Sequence, residues 1–261
     1  MNILDKIVAD KRIEVGLRKE LIPTKQLESS VLFDRATTSL ANALRNSTIG
    51  IIAEHKRRSP SKHEINYSLN VQDVATGYEN AGVSGMSVLT DGKYFGGSLD
   101  DLIIARSSCG LPLLRKEFII DEYQILEAKA YGADVILLIA SILTREEIKA
   151  LSQFAKQLQL DVLLEVHNEE ELHKSIMPSL DMLGVNNRDL KTFTVSLDTS
   201  KALSDLIPDE FVKVSESGIS STEAIKELQP YGFKGFLIGE NFMKTNDPGA
   251  HALEFINVLK Q

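Results

Sequence analysis

Residues 51–61 read IIAEHKRRSPS, an apolar strand that runs straight into charge and stops at Ser-Pro-Ser. Side chains alternate along a strand, so Glu54 and Lys56 share one face while His55 and Arg57 share the other. Either the strand simply surfaces here, or its C-terminal end forms the floor of an anion-binding site. Which of the two holds depends on what kind of sheet the strand belongs to.

From Ile49 onward the same rhythm recurs. Apolar stretches GIIAEH, GMSVLT, LPLLRKEF, ADVILLIA, LDVLLEVH, LDMLGVN, EFVKVSES and KGFLIG alternate with amphipathic segments. The segments read as helices over 71–80, 99–108, 122–131, 145–158, 169–176, 199–206, 222–229 and 248–259. Gly82, Gly110, Gly132 and Pro230 punctuate the joins. Alternation of this kind predicts parallel βαβ units, and about eight of them predict an α/β fold of the (βα)8 barrel type. An open doubly wound sheet is the competing fold, but no GxGxxG or GxxxxGK[ST] supports it. Two helices precede the first strand. Asn2 to Glu20 reads as amphipathic, with Ile3, Ile7 and Leu17 on one face, Val8, Ile13 and Leu21 nearby, and charges filling the rest. Ser39 to Arg45 reads as a short helix that either packs the fold or covers a site. With no linker in view, residues 1–261 read as a single barrel domain, with 1–48 as its N-terminal helical extension.

Composition narrows the function. The net charge of -8 argues against a nucleic-acid partner, and Lys56–Arg58 is too short a basic run to reverse that. No apolar run approaches the length that spans a bilayer. The one cysteine, Cys109, excludes an internal disulfide and suits the reducing cytoplasm. The five histidines show no metal-ligand spacing, so no metal is expected.

Barrel enzymes place their chemistry at the C-terminal ends of the strands. Here those ends carry Glu54 and Lys56, Lys116, Glu165, and Asn186 with Arg188. Taken singly, either lysine reads as a solvated strand-end charge, Glu54 as its ion-pair partner, and Asn186–Asn187 as a turn. Recurrence of such groups at several strand ends points to a site. SESGI (215–219) and LIGE (237–240) would follow the seventh and eighth strands, where glycine and exposed N–H groups can cradle a phosphate. Ser59 reads as a loop hydroxyl or a ligand donor.

AEHKRRSPS, SVLTDGKYFGGS, PLLRKEFI, LLEVH, GVNNRDL, SESGI and LIGE occur in that order, and together they resemble the indole-3-glycerol phosphate synthase family. The resemblance implies a (βα)8 TIM barrel with extra N-terminal helices, no cofactor and no metal. It implies a small-molecule phosphosugar-anthranilate substrate, 1-(2-carboxyphenylamino)-1-deoxyribulose 5-phosphate, converted to indole-3-glycerol phosphate, carbon dioxide and water. Carried over by motif, Lys116 is the general acid, Lys56 pairs with a substrate anion, Glu165 exchanges protons, and Glu54 tunes the lysines. Asn186, Arg188 and Glu216 orient the anilino end. Ser217, Gly218, Leu237, Gly239 and Glu240 match the phosphate end, while Phe95 and Phe118 match positions enclosing the aromatic ring. After SPSK many family members carry glycine; here it is His63, which puts the dynamics of that loop in question. The family includes monomers and fusions, and a monomer is the expectation. Phosphoribosylanthranilate isomerase chemistry and a non-catalytic metabolite-binding barrel are the competing readings.

Overall fold

A computed structural model describes residues 3–189 and 192–261. Asn2, where the first helix was expected to begin, and Leu190 of GVNNRDL lie outside the described residues, as do Met1 and Lys191. Three helices come first: α1 (Ile3–Leu21), α2 (Thr24–Glu28) and α3 (Leu40–Asn46). The barrel opens with β1 (Gly50–His55), α4 (Val71–Ala81), β2 (Gly85–Leu89), α5 (Gly92–Phe95) and α6 (Leu99–Ser108). It continues with β3 (Leu113–Lys116), α7 (Glu122–Ala130), β4 (Val135–Ile139), α8 (Arg145–Gln157), β5 (Asp161–Val166) and α9 (Glu169–Ser175). It finishes with β6 (Met182–Asn186), α10 (Asp198–Ser204), β7 (Val212–Glu216), α11 (Thr222–Leu228), β8 (Gly235–Ile238), α12 (Glu240–Met243) and α13 (Pro248–Leu259).

The eight strands form a closed parallel barrel in sequence order, with β8 pairing back onto β1. Strand parity divides the apolar residues into two layers. Ile52, Leu114, Leu137, Leu163, Val214 and Leu237 pack inside the barrel. Ile51, Ala53, Val88, Leu138, Leu164 and Val185 point outward and are covered by the helices. Helices begin where side chains satisfy their free N–H groups. Thr144 and Glu147 form a capping box at α8, and Asn70, Ser98 and Ser221 cap α4, α6 and α11.

The short helix α3 is a packing element at the bottom of the barrel, not a cover over a site. Leu40 and Leu44 are fully buried and plug the N-terminal ends of the strands. Glycines make room for them. A Cβ on Gly50 would lie 2.3 Å from Leu44 Cδ2, and one on Gly85 would lie 2.5 Å from Leu40 Cδ1.

Helix α1 departs from the expected amphipathic reading. Its buried stripe is Ile7, Lys11 and Val15, spaced one helical turn apart. Ile13, Leu17 and Leu21 are instead exposed. A lysine occupies the centre of the buried stripe because carboxylates from the barrel meet it there. Three helices were not anticipated. Helices α2, α5 and α12 are only four or five residues long, too short to display a helical period.

Candidate active site

At the C-terminal mouth the strand ends enclose a cavity of about 400 Å3. The first answer it gives concerns the charged end of β1. Lys56 turns into the cavity with Glu54, and its Nζ lies 2.7 Å from Glu54 Oε1. The other parity serves the scaffold. Arg57 grips Asp101 through two bonds of 2.5 and 2.9 Å and donates to the Gly96 carbonyl at 2.9 Å. Arg58 donates to the carbonyls of Gly92 and Lys93, each at 2.8 Å. His55 is buried outside the barrel, where burial and the adjacent Arg57 push its pKa down to about 4.

Lys116, ending β3, sits between carboxylates from two other strands. Its Nζ lies 3.5 Å from Glu165 Oε2 on β5 and donates to Glu216 Oε2 on β7. Burial favours the neutral amine, but Glu216, Glu165 and Glu54 outweigh it and hold the ammonium well above the usual lysine range. Glu54 shows the converse. Burial would raise its pKa, but Lys56 and then Lys116 hold its carboxyl below the usual range. Glu165 accepts from Asn186 Nδ2 at 3.1 Å and faces His167 Nε2 at 3.3 Å. Against burial, Lys116, His167 and Asn186 hold its carboxyl far below the ordinary glutamate value.

Three carboxylates and two ammoniums leave one negative charge over. It falls on Glu216, whose pKa is pushed up to about 7 by burial, with Glu165 and Glu54 opposing the pull of Lys116. Glu216 fits its place because of a glycine. A Cβ on Gly184 of β6 would lie 2.4 Å from Glu216 Oε1. The end of a side chain can move away from such a clash at little cost to folding, but it then leaves its working position. Gly184→Ala is therefore expected to lower kcat by about ten- to a hundredfold with little change in melting temperature. Steady-state assay beside thermal denaturation checks this.

Phe95, closing α5, and Phe118, just past β3, form an apolar wall. Their ring centroids are 5.9 Å apart, tilted by 41°. Across the cavity, SESGI turns sharply. Ser217 and Gly218 both adopt left-handed backbone, at φ 65° and 79°. Left-handed backbone is costly for serine, and Asn187 holds it in place. Its Nδ2 donates to Ser215 Oγ at 2.9 Å and to the carbonyls of Glu216 and Ser217 at 3.0 Å. Gly239, beside them, precedes α12, and a Cβ there would lie 2.4 Å from Glu54 Oε1. Ser59, Arg188, Leu237 and Glu240 complete this end of the cavity. Lys62 of the loop after β1 reaches Glu240 at 2.8 Å.

All the site residues expected from sequence thus line one cavity. Others line or support it without having been anticipated. Ile3, Leu4 and Ile7 of α1 lie over the mouth, and Leu137 and Ile139 of β4 form part of its wall. Asn187, a turn residue by sequence, anchors the β7 loop. His167 bridges Glu165 and Glu171, at 3.3 and 3.1 Å. Burial opposes its charge, but these two carboxylates push its pKa up to about 10. The strand parity it shares with Glu165 is the sequence signal that could have placed it.

The barrel and the charged cage at its mouth define an enzyme that works on a small molecule. The family model for indole-3-glycerol phosphate synthase matches residues 4–255. An indole-3-glycerol phosphate synthase of Bacteroides thetaiotaomicron is 46% identical over 99% of each chain. That of Dechloromonas aromatica is 42% identical over 95% of this chain and 97% of its own. The tryptophan synthase alpha subunit of Legionella pneumophila shares the fold at a TM-score of 0.63 and 14% identity, covering 87% of this chain and 98% of that one. This chain belongs to the indole-3-glycerol phosphate synthase family.

Proposed function

We propose that this cavity closes the indole ring of 1-(2-carboxyphenylamino)-1-deoxyribulose 5-phosphate. Family membership makes the enzyme a carboxy-lyase of tryptophan biosynthesis. The observation that carries the site assignment is Lys116, charged and half-buried between Glu165 and Glu216, with Lys56 and two phenylalanine rings in the same cavity. The aromatic ring lies against Phe95 and Phe118. The phosphate sits on the backbone of Ser217, Gly218 and Gly239, with Ser59, Leu237 and Glu240 completing that end. Arg188 and Asn186 orient the anilino end. Glu216 Oε1, buried without a hydrogen-bond partner, accepts the anilino N–H.

The ring carbon that bears the carboxylate attacks the ribulose carbonyl carbon, and a C–C bond forms. The carbonyl oxygen gains negative charge, which the Lys116 ammonium stabilises and protonates. An alkoxide is basic enough to take this proton even from a lysine held strongly protonated. Carbon dioxide then leaves, and its bonding electrons restore the aromatic ring. Lys56 holds the substrate carboxylate until that step, while the apolar wall favours its loss as a neutral molecule. Finally Glu165 takes a proton from the neighbouring carbon and passes it to the departing hydroxyl, which leaves as water to complete the indole, and Lys116 regains its proton from solvent. Glu54 helps to keep Lys116 charged and pairs with Lys56. This chemistry calls for no cofactor or metal beyond the side chains named.

One chain supplies every group in the cavity, which supports action as a monomer. A net charge of -8 and no helix long and apolar enough to cross a membrane, among the described residues, support a cytoplasmic enzyme without nucleic-acid or membrane partners. The test is to mix the purified protein with the carboxyphenylamino substrate and follow indole fluorescence. Turnover is expected. A folded protein that binds inorganic phosphate but gives no indole would overturn the assigned reaction and leave a metabolite-binding barrel.

A further inference from the structure

Lys11 lies on α1, outside the barrel, yet it is only 2% exposed. Lysines on such helices ordinarily carry the ammonium out to water. This one turns inward and meets three carboxylates: Glu14 at 2.8 Å, Asp91 at 3.0 Å and Glu117 at 3.1 Å. The first is on its own helix and half-exposed; the other two are buried.

Both buried carboxylates already hold backbone beside the cavity. Asp91 caps α5, with Oδ1 accepting from the N–H of Tyr94 at 2.6 Å and of Phe95 at 3.2 Å. Its Oδ2 is the atom that meets Lys11. Glu117 Oε1 accepts from the N–H of Phe118 at 2.9 Å, and the same oxygen meets Lys11. Of the three residues whose amides are held in this way, Phe95 and Phe118 are the two whose rings form the apolar wall.

We infer that Lys11 is a positioning residue for the aromatic end of the substrate. One buried ammonium joins the loop after β2 to the end of β3 and so fixes the spacing of Phe95 and Phe118. The inference rests on the proposed role of those rings. It gives α1 a function beyond covering the barrel: without this helix, Asp91 and Glu117 would lose the cation between them, Arg115 would remain 3.7 Å from Glu117 Oε2 on its other side, and the wall would open.

The test compares two ligands that share a phosphate and differ in the aromatic ring. Lys11→Met is expected to weaken binding of indole-3-glycerol phosphate about tenfold and to leave inorganic phosphate within about twofold. KM for the substrate should rise by a similar factor, with kcat reduced much less. In a Phe95→Leu background the same substitution should cost little more, because the wall is already impaired. If Lys11→Met does not fold, Asp91→Asn carries the same test: it keeps the α5 cap on Oδ1 and removes the ion pair. Equal losses for both ligands, or none for either, would overturn the inference. Wild-type turnover decides the proposed reaction separately, so the two can fail independently.

Discussion

Lys116→Met is expected to lower kcat by about three orders of magnitude while affinity for indole-3-glycerol phosphate changes by less than about threefold. The size follows from the neighbours. Lys56, the other lysine in the cage, pairs with Glu54 at 2.7 Å and in the proposed reaction holds the substrate carboxylate, so it does not replace Lys116 at the alkoxide. The substitution also leaves Glu165 and Glu216 facing each other without the cation between them. Losing one partner of a buried ion pair ordinarily costs about 3–5 kcal/mol. Here Glu216 can relieve part of that by taking a proton, since its pKa already lies at about 7. Without Lys116 it rises further. A carboxyl raised in the folded state contributes stability below its unfolded value of about 4.5 and loses it as pH climbs through the folded value. The variant should therefore melt at a higher temperature at pH 6 than at pH 8, by more than the wild type does. Unchanged kcat would remove Lys116 from the chemistry. Equal losses in kcat and product affinity would make it a binding group.

The barrel was legible in the sequence because its signals are local. Apolar stretches such as ADVILLIA can only be buried strands, and their spacing leaves room for one helix each. Parity then placed Glu54, Lys56, Lys116, Glu165 and Asn186 on inward faces. What could not be read is what depends on partners distant along the chain. Lys11 looks like a solvated charge until Asp91 and Glu117 are folded against it. Asn187 looks like a turn residue until Ser215 and the carbonyls of the β7 loop reach it. Whether α3 covers a site or plugs the barrel is decided by Gly50 and Gly85, which give no sign of it in isolation. His63 stands exposed in the loop after β1, and nothing in the structure explains why it replaces glycine there.

Glu165→Gln is expected to reduce indole formation by about two to three orders of magnitude, and to divide the reaction at a definite point. Glutamine keeps the shape and one acceptor oxygen but cannot take a proton. Glu165 is suited to that task because Lys116, His167 and Asn186 keep it ionised despite its burial. They do not keep it tightly bound: its distances to them are 3.5, 3.3 and 3.1 Å, whereas Glu216 holds Lys116 more closely. If Glu165 acts when water is lost, the steps before it should survive the substitution. In a single turnover the variant should then release carbon dioxide faster than indole fluorescence appears, with the hydroxylated ring accumulating between them. Lys116→Met, blocked at ring closure, should delay both signals together. The pair of measurements therefore separates the acid from the base. Carbon dioxide and indole slowed equally in Glu165→Gln would place Glu165 at the first step, holding Lys116 rather than moving a proton of its own.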